Sequence, residues 1–276
     1  MPPTPDTAAL PADLRYAIQF SPRTYRARLT ALGMLHREIT GVVHECTDAG
    51  IAEVKLRWWE EETGLMPDGK ARHPVARAFH AECANVNLPH RPFVELIDGV
   101  RQEIHAPAFA AFTDVERYCN RRGGAFAELT ARVCDADSGE VCEQARRLGS
   151  IRQLAGIVTQ SGADAQFGRV YFAADDLRKH KLDQHVQAGM HSDAGLKALL
   201  ADYTERAREW AGHITVPPST TVQMPLITAR ILARLALARL TRLERRGFVT
   251  GTEPVELSPL SLLLTAWSAA RRPFLI

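Results

Sequence analysis

The side chains in this 276-residue chain that could take part in chemistry begin with five cysteines, ten histidines and 29 arginines. Cys46, Cys83, Cys119, Cys134 and Cys142 are odd in number and form no C-x-x-C pair. Neither a disulfide framework nor a zinc ribbon is indicated, and a reducing compartment fits. His80 with Cys83, and His180, His185 and His191, fall short of a full metal-ligand pattern. Cys119, beside Tyr118, reads as a small buried apolar group rather than a nucleophile. Arginine is more informative, because a guanidinium fork grips a phosphate through two hydrogen bonds without any metal. Nucleic acid is not the expected partner, since 34 basic residues stand against 32 acidic ones for a net charge of +2.

The elements that must hold such groups read as helices. With 46% hydrophobic and 24% charged residues the chain can bury a large core. Over 24–46, Leu29, Leu32, Leu35, Ile39, Val42, Val43 and Cys46 recur at three- and four-residue spacing and define one apolar stripe. Similar patterns at 49–65, 74–87, 92–105, 114–134, 139–161, 193–213, 219–246 and 259–271 predict about nine helices in a single all-α domain over 14–276. Residues 1–13 read as a disordered tail without a signal or transit peptide, so a cytoplasmic protein is expected. The longest irregular stretch, 162–192, is interrupted by Gly162 and Gly168. Trp58 and Trp59 lie 100° apart on a helix, one expected in the core and the other at an edge. In 226–246, Ile227, Ile231 and Leu235 fall among arginines 230, 234, 239, 242, 245 and 246. That face meets a neighbouring helix, a protein partner or an anionic membrane surface, the last placing the protein on the inner face of a membrane.

Six segments taken in order resemble the squalene/phytoene synthase family, whose members join two prenyl diphosphates head to head inside an all-α isoprenoid synthase bundle around a central cavity. LHREITGVVHE (35–45) resembles its first aspartate-rich helix and KLRWWEEE (55–62) the Trp-containing helix after it. HPVARAF (73–79), LPHRPFVELIDGVRQEI (88–104) and YCNRRGGAF (118–126) are similar to the next signatures. RLGSIRQLAGIVTQSGADAQFGRVYFAADDL (147–177) resembles the second aspartate-rich helix and the loop that closes over it.

The chemistry departs from that pattern. The family's carboxylates, on two facing helices, hold Mg²⁺ against the diphosphate. The matching positions here are Thr40, Gly41 and His44 on one helix and Gln160, Ala163 and Asp164 on the other, so Asp164 alone is acidic. The resemblance places Arg37, Arg152, Gln153, Arg169 and Tyr171 at or beside phosphate-facing positions. It therefore implies a non-catalytic protein that needs no cofactor and binds a prenyl phosphate or other isoprenoid or lipid amphiphile. An active prenyl transferase with Mg²⁺, held by Asp164 if by any residue, is the alternative. A third reading is assembly of a respiratory complex, because HPVARAF and PLSLLLTAWSAARRP (259–273) look like the degenerate branch that includes a complex I assembly factor. Small residues at Gly41, Gly156 and Ala163 predict an apolar cavity between the helices at 24–46 and 139–161, with an anion site at its mouth.

Overall fold

Local chemistry sets most helix starts in the structure, a computed structural model that describes residues 7–105, 108–182, 194–214 and 220–271. After a 3₁₀ turn at Thr7–Ala9 come α1 (Ala12–Phe20) and α2 (Arg26–Glu45). The Asp48 carboxylate accepts from the Ile51 N–H at 2.9 Å and caps α3 (Ala49–Leu65). Helices α4 (Pro74–Cys83) and α5 (Arg91–Ile104) carry proline in the first turn, where its missing N–H has no partner to lose. Helix α6 (Phe112–Cys119) passes through a π-helical turn, Asn120–Gly124, into α7 (Ala125–Arg132). Ser138 caps α8 (Gly139–Gln166), and α9 (Ala174–Lys179), α10 (Ala194–Gly212), α11 (Thr220–Arg245) and α12 (Pro259–Arg271) complete an all-α bundle with no strand among the described residues.

Several boundaries differ from expectation for physical reasons. The stretch read as a tail contains Leu10 and Asp13, both buried, and α1 begins inside it; residues 1–6 lie outside the described residues. The single helix expected over 114–134 is broken by the π turn at NRRGG. Gly162 does not end α8, because it lies where a Cβ would overlap the Gly251 carbonyl oxygen, and the helix runs on to Gln166. Gly168, with φ +67°, makes the turn after it. Of the irregular stretch, 183–193, with His185 and His191, lies outside the described residues. Trp59 is in the core and Trp58 at its edge, both against the His73 ring.

Helix α8 is the axis of the bundle and packs on α6, α7, α10 and α11. Helix α11 is enclosed too: of the three readings of its face over 226–246, the neighbouring helix holds, and a protein partner or membrane surface at Ile227, Ile231 and Leu235 is corrected. Ile227, Ile231 and Leu235 are buried in the same core as α12, while Leu240 and Leu243 fill the core beside α10. Its arginines are accommodated individually. Arg230 is buried, donates from Nε to the Ala269 carbonyl at 3.1 Å, and leaves Nη1 without a partner; burial lowers its pKa to about 10. A buried cation with no carboxylate opposite it is a cost, so Arg230→Met is expected to raise stability by about 1–2 kcal/mol in urea unfolding. A loss of stability on that substitution would show that the contact to the end of α12 outweighs desolvation.

Candidate functional site

A cavity of about 200 Å³ opens between α2 and α5 on one side and α8 and α11 on the other. Helix α8 supplies Arg152, Gly156, Gln160 and Asp164, four residues apart and so on one face, with Gln153 beside them. Helix α2 supplies His36 and His44, two turns apart. Asp13 of α1, Glu103 of α5, Tyr118 of α6, Arg122 of the π turn, Arg239 of α11 and Tyr171 complete the polar lining. The space expected between these helices is present, but the expected apolar lining is corrected: Ile157 and Ala236 are its apolar side chains.

The π turn reaches the cavity because glycine lets the backbones touch. A Cβ on Gly149 would overlap the Gly123 carbonyl oxygen and lie 2.6 Å from the Ala127 Cβ, and a Cβ on Gly123 would overlap the Gly149 carbonyl. On the other side of the turn, a Cβ on Gly99 of α5 would lie 3.1 Å from the Arg122 backbone. Arg122 is thereby held so that its Nε donates to Glu103 Oε1 at 2.8 Å and its Nη1 lies 3.1 Å from His36 Nε2. The same Glu103 oxygen accepts from the Tyr118 hydroxyl at 2.9 Å, and Gln153 Nε2 donates to that hydroxyl at 3.2 Å. Tyr171 stacks on Tyr118 with centroids 5.5 Å apart.

Burial and the neighbouring guanidiniums of Arg122 and Arg152 hold the His36 pKa well below its usual value. His36 is therefore neutral at pH 7 and accepts from Arg122 through Nε2. Burial, then repulsion by Glu103, raises Asp164 to about 6 against the opposing effect of Arg169. Burial also lowers Arg152, which Asp13 favours and Arg122 and Arg239 oppose. Arg122 is committed to Glu103, and Arg239 is shared between Asp13 and Glu256 at 3.4 Å each. Arg152 has a 3.8 Å ion pair with Asp13, lies over the Phe126 ring at 5.8 Å and, among the described residues, donates no hydrogen bond. It is the cation of the cavity with donors to spare.

Of the residues expected here, Arg152, Gln153, Tyr171, His44, Gln160 and Asp164 meet at the cavity. Arg169 stands at its edge, 3.1 Å from His44 Nδ1 and donating to the Val43 carbonyl at 3.0 Å. Arg37 is not brought to the site; it is exposed and bonds Glu38 and the Ala9 carbonyl. Thr40 donates to the Arg37 carbonyl, and Gly41 and Ala163 bring no side-chain donor. The donors do not fit a hard divalent cation, which takes oxygen ligands. Asp164 is the one carboxylate at the six matching positions, Glu103 and Asp13 are taken up by Arg122 and Arg239, His44 offers nitrogen already engaged by Arg169, and among the described residues no group of three His, Cys, Asp or Glu could hold a metal ion. His180, the remaining described histidine of its cluster, bonds Asp202 instead at 2.9 Å. Sequence reasoning missed Asp13, His36, Glu103, Tyr118, Arg122 and Arg239. His36 had a signal, lying at four-residue spacing with Thr40 and His44. The others meet only through the tertiary fold.

Comparison with known proteins follows the geometry. A family model described as squalene/phytoene synthase matches residues 12–261. The chain is 22% identical over 267 residues to a presqualene diphosphate synthase from Rhodopseudomonas palustris, covering 94% of each chain. It is 29% identical over 201 residues to a phytoene synthase from Mycobacterium tuberculosis, covering 71% of this chain and 65% of that one. Among solved structures, a dehydrosqualene synthase in complex with a ligand superposes with TM-score 0.79 at 17% identity, over 94% of this chain and 90% of that one. The squalene synthase HpnC from Alicyclobacillus acidocaldarius gives 0.67 at 18% identity, over 88% and 99%. At these identities the structural likeness speaks for the fold.

Proposed function

The chain belongs to the squalene/phytoene synthase family, and from that membership and the donor set of its cavity we propose a non-catalytic member that holds the phosphate end of an isoprenoid amphiphile without metal. The observation that carries this reading is Arg152: it faces the space without a hydrogen bond among the described residues, while Arg122 and Arg239 are paired with Glu103 and Asp13, and five of the six positions expected to carry metal-binding carboxylates have none. Ionising a prenyl diphosphate leaves charge on the departing oxygens that a metal cluster would stabilise. Without that cluster the ionisation step loses its main electrostatic support, while a guanidinium fork still grips a phosphate. The cavity is small beside the ~300–1,000 Å³ of drug-sized pockets and mostly polar, so the head group enters and the tail stays at the mouth. There Phe167 is 74% exposed, with Arg169 stacked 5.9 Å from its ring.

Calorimetric titration with farnesyl phosphate in EDTA tests this reading. Wild-type protein is expected to bind, and Arg152→Ala to bind about ten- to hundredfold more weakly, the loss of a charge-assisted contact of about 1.5–3 kcal/mol. With Mg²⁺ and farnesyl or geranylgeranyl diphosphate, no pyrophosphate release is expected. Mg²⁺-dependent turnover, or the absence of binding heat in EDTA, overturns it.

A further inference from the structure

Helix α12 leaves one face bare. Leu260 (64% exposed), Leu263, Leu264 (55%) and Trp267 (44%) stand in a row at three- and four-residue spacing, while Leu262, Ala266 and Ala269 on the other face are buried against α1 and α11. Single exposed leucines are common, but four large apolar side chains on one helix face make a continuous patch. At its end the Arg271 guanidinium lies 4.6 Å over the Trp267 ring, a pairing of amphipathic aromatic and cation suited to the boundary between acyl chains and head groups.

The charge on the helix itself is of one sign, the exposed Glu253 and Glu256 lying in the loop before it. Helix α12 has no acidic residue, and on the adjoining α1 the exposed charge is Arg15 while Asp13 is buried. Glu244 of α11 is paired with Arg208, and Glu256, in the loop before α12, with Arg239. A second copy docking helix to helix through this face would set Arg271 against a helix that carries no acidic residue, whereas an anionic bilayer supplies phosphates. Among the described residues no helix is long and apolar enough to cross a membrane, so the fitting geometry is a helix lying on the surface.

We propose that the bare face of α12 seats this protein on an anionic lipid bilayer, with Leu260, Leu263, Leu264 and Trp267 entering the acyl boundary and Arg15 and Arg271 meeting lipid phosphates. The surface is separate from the cavity and from the fate of any ligand there.

Flotation of the full chain with phosphatidylcholine vesicles, with and without phosphatidylglycerol, tests it. Wild type is expected to float with the phosphatidylglycerol vesicles and to detach as salt is raised. Leu264→Asp is expected to lower partitioning about tenfold or more at an unchanged thermal midpoint, and Arg271→Glu to lower it on the anionic vesicles alone. Should Leu264→Asp fail to fold, Leu260→Ser reads the same face from a more exposed position. Wild type remaining with the aqueous phase, or floating of a folded Leu264→Asp like wild type, overturns the proposal. So does lipid-free dimerisation abolished by Leu264→Asp without vesicle binding, which would give the face to a second copy.

Discussion

Gly149→Ala is expected to destabilise the protein by about 3–5 kcal/mol, a large part of the ~5–15 kcal/mol that holds a domain together. The added methyl has nowhere to go: its neighbours are the Gly123 carbonyl oxygen and the Ala127 Cβ, backbone and stub groups that no rotamer change can move. Relief requires α8 to part from the π turn, which carries Arg122 away from Glu103 and His36. Anion binding should therefore fall with stability. Gly156→Ala, seven residues along the same helix, is the control. Its Cβ meets only Gln160 Nε2 at 3.7 Å, and the substitution is expected to stabilise by up to ~1 kcal/mol through helix propensity. Urea unfolding of both variants decides the matter; equal stabilities would mean the glycine crossing is not tight.

The second large effect is a pH dependence centred on Asp164. Its carboxyl is raised from an ordinary 3.8 to about 6, chiefly by burial and then by Glu103. Between those values the native state keeps a proton that the unfolded chain has released. Stability from this group therefore falls as pH rises through that window and levels off above about 6, by about 1–3 kcal/mol in all. Asp164→Asn should match wild type near pH 4 and exceed it by that amount at pH 7.5. His36 acts in the opposite direction, because its lowered pKa makes stability fall as pH drops below the usual histidine range. Only the difference between the two proteins isolates Asp164. Binding of farnesyl phosphate should likewise gain below pH 6 in wild type relative to Asp164→Asn, the ligand's own ionisation near pH ~6 being common to both. Parallel stability profiles from pH 4 to 8 would contradict this account.

How much of the site could be read in advance depended on whether its residues share a helix. Arg152, Gln160 and Asp164 are eight and four residues apart on α8, so spacing alone sets them on one face, and all three line the cavity. Arg37 shows the limit of that logic. It shares a helix with His36 and His44 but points 100° away from His36, where Glu38 and the Ala9 carbonyl take it up. The partners of Arg152 in charge, Asp13 and Arg239, are separated from it by more than a hundred and by nearly ninety positions, and no local pattern links them.

The sequence by itself determined the helical class and most helix spans, because apolar periodicity and capping residues act over a few positions and hardly depend on the rest of the chain. It also determined that five of the six metal-ligand positions lack a carboxylate, a matter of residue identity alone. Only the tertiary structure decided which amphipathic faces find a partner. Ile227, Ile231 and Leu235 fall among arginines, with three kinds of partner open to them, and are buried within the bundle, while Leu260, Leu263 and Leu264 of α12 stand exposed. Both helices are apolar enough to pack on either side, and periodicity says which residues share a face, not what lies against it. The tertiary structure likewise decided the cavity's charge, since the balance of Arg122, Arg152 and Arg239 against Asp13, Glu103 and Asp164 exists only where distant segments meet in a medium that screens poorly.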